Sequence, residues 1–278
     1  MNFYEKSCPP AEKIVQSISR KRVATNSKLP AKLLRMHFHD CVVRGCDGSV
    51  LLDSTANNTA EKEAILNQSL EGFDVIEEIK SQLEKTCPGV VSCADILALA
   101  ARDSFAFQFK KPFWQVPTGR RDGTISRAFE TLNNIPSPFF NFTSLKQLFA
   151  RKGLSVHDLV VLAGNGDQDP SLDSNYAAFL KTKCQSQSDN TTIVEMDPGS
   201  SLTFDNDYFK IIKQNKGLFQ SDAALLTNQG SSNIVDEMLN SNIRFFTEFE
   251  RSMEKVGAIE VLTGSSGEIR KKCNVINP

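Results

Sequence analysis

Histidine is scarce in this chain. There are three in 278 residues, His37, His39 and His157, and none after position 157. Imidazole chemistry, whether proton transfer or metal ligation, is therefore confined to those positions. No apolar run approaches the roughly 20 residues of a membrane-spanning helix, which excludes a membrane protein of that type. The net charge of −1 lacks the basic excess of a dedicated nucleic-acid binder. The cysteines lack CxxC pairs, which excludes a zinc ribbon. No repeat, low-complexity tract or Pro/Gly/Ser-rich linker divides the chain, so residues 1–278 are expected to form one domain. The opening Met1-Asn2-Phe3-Tyr4 has no charged and apolar leader. It implies a signal peptide already removed, or a truncated start.

What is present describes an ordinary globular protein, 40% hydrophobic and 23% charged. Seven cysteines (Cys8, Cys41, Cys46, Cys87, Cys93, Cys184, Cys273) are spread along it. Spread cysteines point to disulfides and an oxidising compartment, and an odd count leaves one thiol over. Four N-x-S/T sequons, at Asn57, Asn67, Asn141 and Asn190, agree with a glycosylated, secreted chain.

Apolar periodicity predicts helices over 10–24, 29–40, 72–85, 92–107, 143–151, 155–163, 204–216 and 231–257. Pro30 suits a first helical turn. The best strand candidate is Phe113–Val116, and loops are expected at 53–60, 117–138, 164–174 and 185–203. The fold class is mostly α.

The densest chemistry lies between positions 35 and 49. Arg35 and His39 are four residues apart, on one helix face. An always-charged guanidinium beside a titratable imidazole can move a proton and stabilise developing negative charge. Asp40, Asp47 and Ser49 follow, oxygen donors that suit a hard cation such as calcium. Read alone, the same residues make an exposed arginine, a satisfied histidine and a capped turn. His37, His39, Cys41 and Cys46 also allow a zinc cluster, but carboxylates interleave them and the cysteines fit a disulfide frame.

Phe38-His39-Asp40-Cys41 with Gly45-Cys46-Asp47-Gly48-Ser49 resembles the distal-site motif of class III plant secretory haem peroxidases. So do Phe3-Tyr4…Ser7-Cys8-Pro9, Pro88-Gly89-Val90-Val91-Ser92-Cys93-Ala94-Asp95-Ile96, Val116 through Gly123, Phe204-Asp205-Asn206, Lys216 through Asp222 and Gly267-Glu268-Ile269-Arg270. These blocks run in order along nearly the whole chain.

The resemblance implies a plant haem-peroxidase fold with haem between a distal half (about 1–135 plus a C-terminal strap) and a proximal half (about 136–260). It implies haem b, two calcium ions, hydrogen peroxide and small phenolic donors, a monomer, and a secreted or vacuolar location. His39 would be the distal base, Arg35 the charge stabiliser and Asn67 the partner that fixes the His39 tautomer, while Phe38 would shield the haem. Asp40, Val43, Gly45, Asp47 and Ser49 would hold a distal calcium; Asp197, Ser200, Thr203 and Asp205 a proximal one. Pro136 would contact aromatic donors. Disulfides Cys8–Cys87, Cys41–Cys46 and Cys93–Cys273 would follow, and Arg120 would pair with Asp95.

One block departs from the family pattern. Asp158-Leu159-Val160-Val161-Leu162-Ala163-Gly164 should lead into the segment carrying the haem-ligating histidine. Asn165-Gly166-Asp167-Gln168-Asp169-Pro170-Ser171 follows instead. About 20 residues are missing, roughly 30 Å if helical. Cys184 thereby loses its partner, the proximal calcium a threonine ligand and Asp222 the imidazole it would hold. The pattern is that of one excision, by splicing or by a mis-drawn gene model. The expectation is weak haem binding and little turnover; the alternatives are a haem-free, calcium-binding glycoprotein and a chain that folds poorly.

Overall fold

The computed structural model describes residues 3–109, 113–162, 172–183, 192 and 194–278. Twelve α-helices account for most of it: α1 Ala11–Thr25, α2 Leu29–Arg44, α3 Phe73–Thr86, α4 Cys93–Phe109, α5 Ala128–Asn134, α6 Phe142–Arg151, α7 Val156–Leu162, α8 Ser174–Lys183, α9 Asp207–Lys213, α10 Gln220–Ala224, α11 Gln229–Asn240 and α12 Asn242–Val256. Among the described residues extended pairing is limited to isolated bridges such as Asp122 with Glu268. No described helix is long and apolar enough to cross a membrane.

The chain forms two compact units, residues 1–135 with 253–278, and residues 136–252. In the first, α4 packs against α1, α2 and α3. It is nearly all apolar and small on its buried faces (Ile96, Leu97, Ala98, Leu99, Ala100 and Ala101 are fully buried), which lets the neighbouring helices approach. Ser92 starts α4 by accepting a hydrogen bond from the Asp95 backbone N–H at 3.1 Å. In the second unit, α7 packs against α6 and α11, and α11 against α9. Phe204, Phe209, Phe245 and Phe249 form an aromatic cluster there, with ring centroids 4.7–5.9 Å apart. Ser155 and Asp158 cap α7 reciprocally: the Ser155 N–H reaches Asp158 Oδ2 at 2.8 Å and the Asp158 N–H reaches Ser155 Oγ at 3.2 Å.

Several sequence expectations need correction. Phe113–Val116 is irregular, not a strand; Phe113 and Trp114 pack on Phe105 of α4 instead. Residues 231–257 form two helices, because extended Ser241 ends α11 and its Oγ accepts the Arg244 N–H at 3.2 Å to begin α12. Helix α5 lies within the expected 117–138 loop. Helix α8 was not foreseen; it opens where Asp173 accepts the Tyr176 N–H at 2.9 Å.

Candidate active site and cation site

Helix α2 places Arg35 and His39 one turn apart on one face. His39 is 4% exposed, and its Nδ1 lies 2.7 Å from Asn67 Oδ1. Asn67 is 1% exposed and its own amide donates to the Glu61 carbonyl at 2.9 Å, so the oxygen is the end that faces His39. The imidazole must therefore carry its proton on Nδ1. Among the described residues no hydrogen bond engages Nε2. Burial, then the Arg35 charge, push the His39 pKa down to about 4, with the Asn67 bond opposing the shift. At neutral pH the ring is an uncharged base.

The Arg35 guanidinium is tethered by Nη1 to Ser69 Oγ at 3.0 Å and by Nη2 to the Leu66 carbonyl at 3.1 Å. Among the described residues its Nε is buried without a partner, and burial lowers its pKa. Phe38 and Leu66 pack against the cluster of Val42, Val43 and Ile135, and the Phe38 ring meets His39 edge-on at 6.3 Å. Asn67, one of the four sequons, is too buried and too well bonded to carry a glycan; the exposed Asn57 and Asn141 remain open to one.

The oxygen donors gather where α2 ends. Asp40 accepts the N–H groups of Gly48 at 2.9 Å and Val50 at 3.3 Å, and Asp47 accepts that of Ser49 at 3.0 Å. Val43 sits on the last turn of α2, and the Gly45 carbonyl accepts the Asp47 N–H at 2.8 Å. Burial, then the Asp47 charge, raise the pKa of Asp40 well above the carboxylate range; burial takes Asp47 to about 6. Sequence reasoning missed Glu61. It is fully buried, and burial, then the Asp40 charge, push its pKa up to about 9, with the Ser49 side chain opposing the shift. The Ser49 side chain faces both Glu61 and Asp47 and lowers the pKa of each. Three buried carboxyls that raise one another's pKa are oxygen donors of the kind a hard cation takes. Arg270 was quoted only as part of a motif; it anchors this loop, donating to the Gly48 and Cys273 carbonyls at 2.7 and 2.6 Å.

In the other unit, Ser200 Oγ bonds Asp197 Oδ2 at 3.1 Å and Asp205 Oδ1 at 3.2 Å. Burial, then the Asp205 charge, raise the Asp197 pKa. The exposed Thr203 joins this turn through its backbone, donating to the Ser200 carbonyl at 2.7 Å. Asp222 is buried and already bonded, accepting Tyr208 Oη at 2.7 Å and the Phe219 N–H at 3.1 Å. Pro136 is half-buried. The three expected disulfides, Cys8–Cys87, Cys41–Cys46 and Cys93–Cys273, are formed, and Arg120 meets Asp95 at 2.9 Å. Cys184 and the Gly164-to-Ser171 junction lie outside the described residues.

A family model described as Peroxidase matches residues 15–241. The chain belongs to the plant class III peroxidase family. Peroxidase 3 of Arabidopsis thaliana is 52% identical, with 100% of this chain and 91% of that protein covered. Peroxidase 30 of Arabidopsis thaliana is 50% identical over 99% of this chain and 90% of its own length, and Peroxidase 1 of Oryza sativa subsp. japonica 50% over 99% and 92%. The mostly helical architecture is that of this family, whose enzymes are oxidoreductases that use hydrogen peroxide and bind haem and calcium.

The residues present fit haem on one side only. His39, with its free Nε2, and Arg35, with its unbonded Nε, suit a peroxide site. The sequence holds only two other histidines, His37 and His157. His37 is walled in beside the Cys41 sulfur at 3.6 Å, and His157 lies 3.9 Å from Glu248 at the start of α7. Asp222, the expected partner of an axial imidazole, holds Tyr208 instead.

Proposed function

We propose that this chain is a class III peroxidase with its peroxide-handling residues complete and its haem anchor missing, so that it holds haem weakly and oxidises phenolic donors little or not at all. The observation that carries this reading is the lack of any histidine after His157, in a chain otherwise matched end to end by peroxidases. Alignment length supports it. The match to Peroxidase 3 spans 300 positions, 22 more than the 278 residues of this chain, so the relative carries residues that have no counterpart here.

Haem, where bound, would supply the iron that exchanges electrons with peroxide and donor, and a histidine ligand would hold and tune that iron. The chain's own residues supply the proton chemistry. His39 Nε2 is the atom that would accept a proton from peroxide and return it to the departing oxygen. Asn67 holds the ring in the tautomer that leaves Nε2 free. Arg35 offers fixed positive charge to the oxygen on which negative charge develops. Phe38 limits water at the site. Asp40, Val43, Gly45, Asp47 and Ser49 hold the distal calcium, with Glu61 beside it, and Asp197, Ser200, Thr203 and Asp205 form an incomplete proximal site. Pro136 lies where phenolic donors dock. The protein is secreted or vacuolar and acts as a monomer.

A second reading, a haem-free calcium-binding protein, is favoured by Asp40, Asp47 and Glu61, three buried carboxyls with raised pKa values whose charged forms a cation would stabilise. Grafting separates the two. The segment of Peroxidase 3 that faces the gap is inserted after Gly164, and guaiacol-type turnover is compared with that of the unaltered chain after loading both with haem and calcium. Turnover in the graft and little in the parent is expected. Full turnover in the parent would overturn the reading, and a folded but inactive graft would favour the second.

A further inference from the structure

His37 has no place in the peroxide chemistry, yet it is 1% exposed and sits one helical turn before Cys41 on the same face of α2. Among the described residues its ring contacts a hydrogen-bonding partner only at the Cys41 sulfur, 3.6 Å from Nδ1 and 3.9 Å from Nε2. Cys46, 1% exposed, closes the group. One ligand atom from each of His37, Cys41 and Cys46 lies within 4.8 Å of the others. A tetrahedral zinc ion with Zn–S of about 2.3 Å and Zn–N of about 2.0–2.1 Å sets its sulfur and nitrogen ligands about 3.5 Å apart. The His37–Cys41 spacing already matches. The sulfur–sulfur bond is what excludes an ion, since two sulfurs on one zinc stand about 3.8 Å apart.

We propose that reduction of the Cys41–Cys46 disulfide turns this cluster into a site for a thiophilic divalent cation of the zinc type, ligated by His37, Cys41 and Cys46 with water in the fourth position. An added dithiol supplies two electrons and two protons and becomes a disulfide itself, leaving two thiols. Each thiol releases its proton to solvent as its sulfur bonds the ion. Hydrogen peroxide reverses the process: the sulfur–sulfur bond reforms, the ion leaves, and the two electrons with two protons from solvent convert peroxide into two waters. His39 is not among the residues whose ligand atoms gather here. The nearby Arg120 is neutralised by Asp95 at 2.9 Å. The sulfurs are buried, so exchange proceeds through local opening and is slow.

The test uses the full chain with Co2+ in place of zinc, since tetrahedral cobalt thiolates give strong visible bands. The oxidised chain should bind no cobalt. The reduced chain should bind one ion in a tetrahedral thiolate spectrum, and peroxide should abolish that spectrum. His37→Gln leaves the disulfide intact and should weaken reduced-state binding at least tenfold. Bound metal should shield Cys41 and Cys46 from alkylation while the other cysteines react. Circular dichroism on the same samples reports whether reduction unfolds the chain. Absence of cobalt binding by the reduced chain, folded or not, overturns the proposal. So does equal binding by His37→Gln, or alkylation shielding that falls on the other cysteines.

Discussion

Asn67 Oδ1 and the His39 ring meet at 2.7 Å in a site almost closed to water, so the amide governs which imidazole nitrogen carries the proton. Replacing Asn67 with Asp puts a carboxylate against that ring. The His39 pKa should then rise above about 4, because a neighbouring negative charge favours the protonated ring. NMR titration of the His39 ring protons measures it; a value unchanged from the native chain would mean the two side chains are not coupled. His37 and His39 are both buried neutral, at about 3 and about 4, below the ordinary value of 6.5. A depressed histidine pKa means the unfolded chain binds more protons below 6.5. Stability should therefore fall as pH drops from about 6.5 toward these values, and His37→Gln should flatten the fall. Urea unfolding of both proteins at about pH 7 and about pH 5 checks the sign. Glu61→Gln removes one of three mutually repelling buried carboxyls. The calcium-free chain should gain about 1–3 kcal/mol and the rise in Tm on adding calcium should shrink, both read by calorimetry.

At the scale of elements, the turn after α2 joins sequence to function most tightly. Gly48 has φ of 69°, and a Cβ there would stand 2.6 Å from Arg270 Nη2 and 3.2 Å from the Ala94 nitrogen. Gly48→Ala should cost about 1–3 kcal/mol and weaken calcium binding, because it displaces the arginine that holds the Gly48 carbonyl. Denaturant melts with and without calcium measure both. The helices of the first unit were legible because their apolar residues recur at helical spacing and their starts carry local signals, Pro30 in α2 and Ser92 before α4. Long periodicity misled at 231–257, where Ser241 serves as a cap that the pattern alone does not reveal. Helix α5 buries only Thr131, too little for an apolar stripe to show. Phe113 and Trp114 have β propensity, but among the described residues no strand lies beside them, and their rings are used to cover α4.

For the molecule as a whole, Arg35, His39, Asp40 and Asp47 could be read from the sequence because they fall within thirteen consecutive positions. Glu61 could not, since nothing in its own neighbourhood marks it as facing Asp40; only folding brings the two carboxyls together. The haem anchor is a different case, because the sequence itself has no histidine after His157. On the proposed reading, residues 1–135 carry the proton chemistry and one cation site, and residues 136–252 carry Asp222 and the second cation turn. Haem titration into the calcium-loaded chain, followed by its visible spectrum, tests that account most directly. A weak, non-stoichiometric Soret change without the signature of histidine-ligated iron is expected. A sharp one-to-one titration that ends in a histidine-ligated haem spectrum would contradict it.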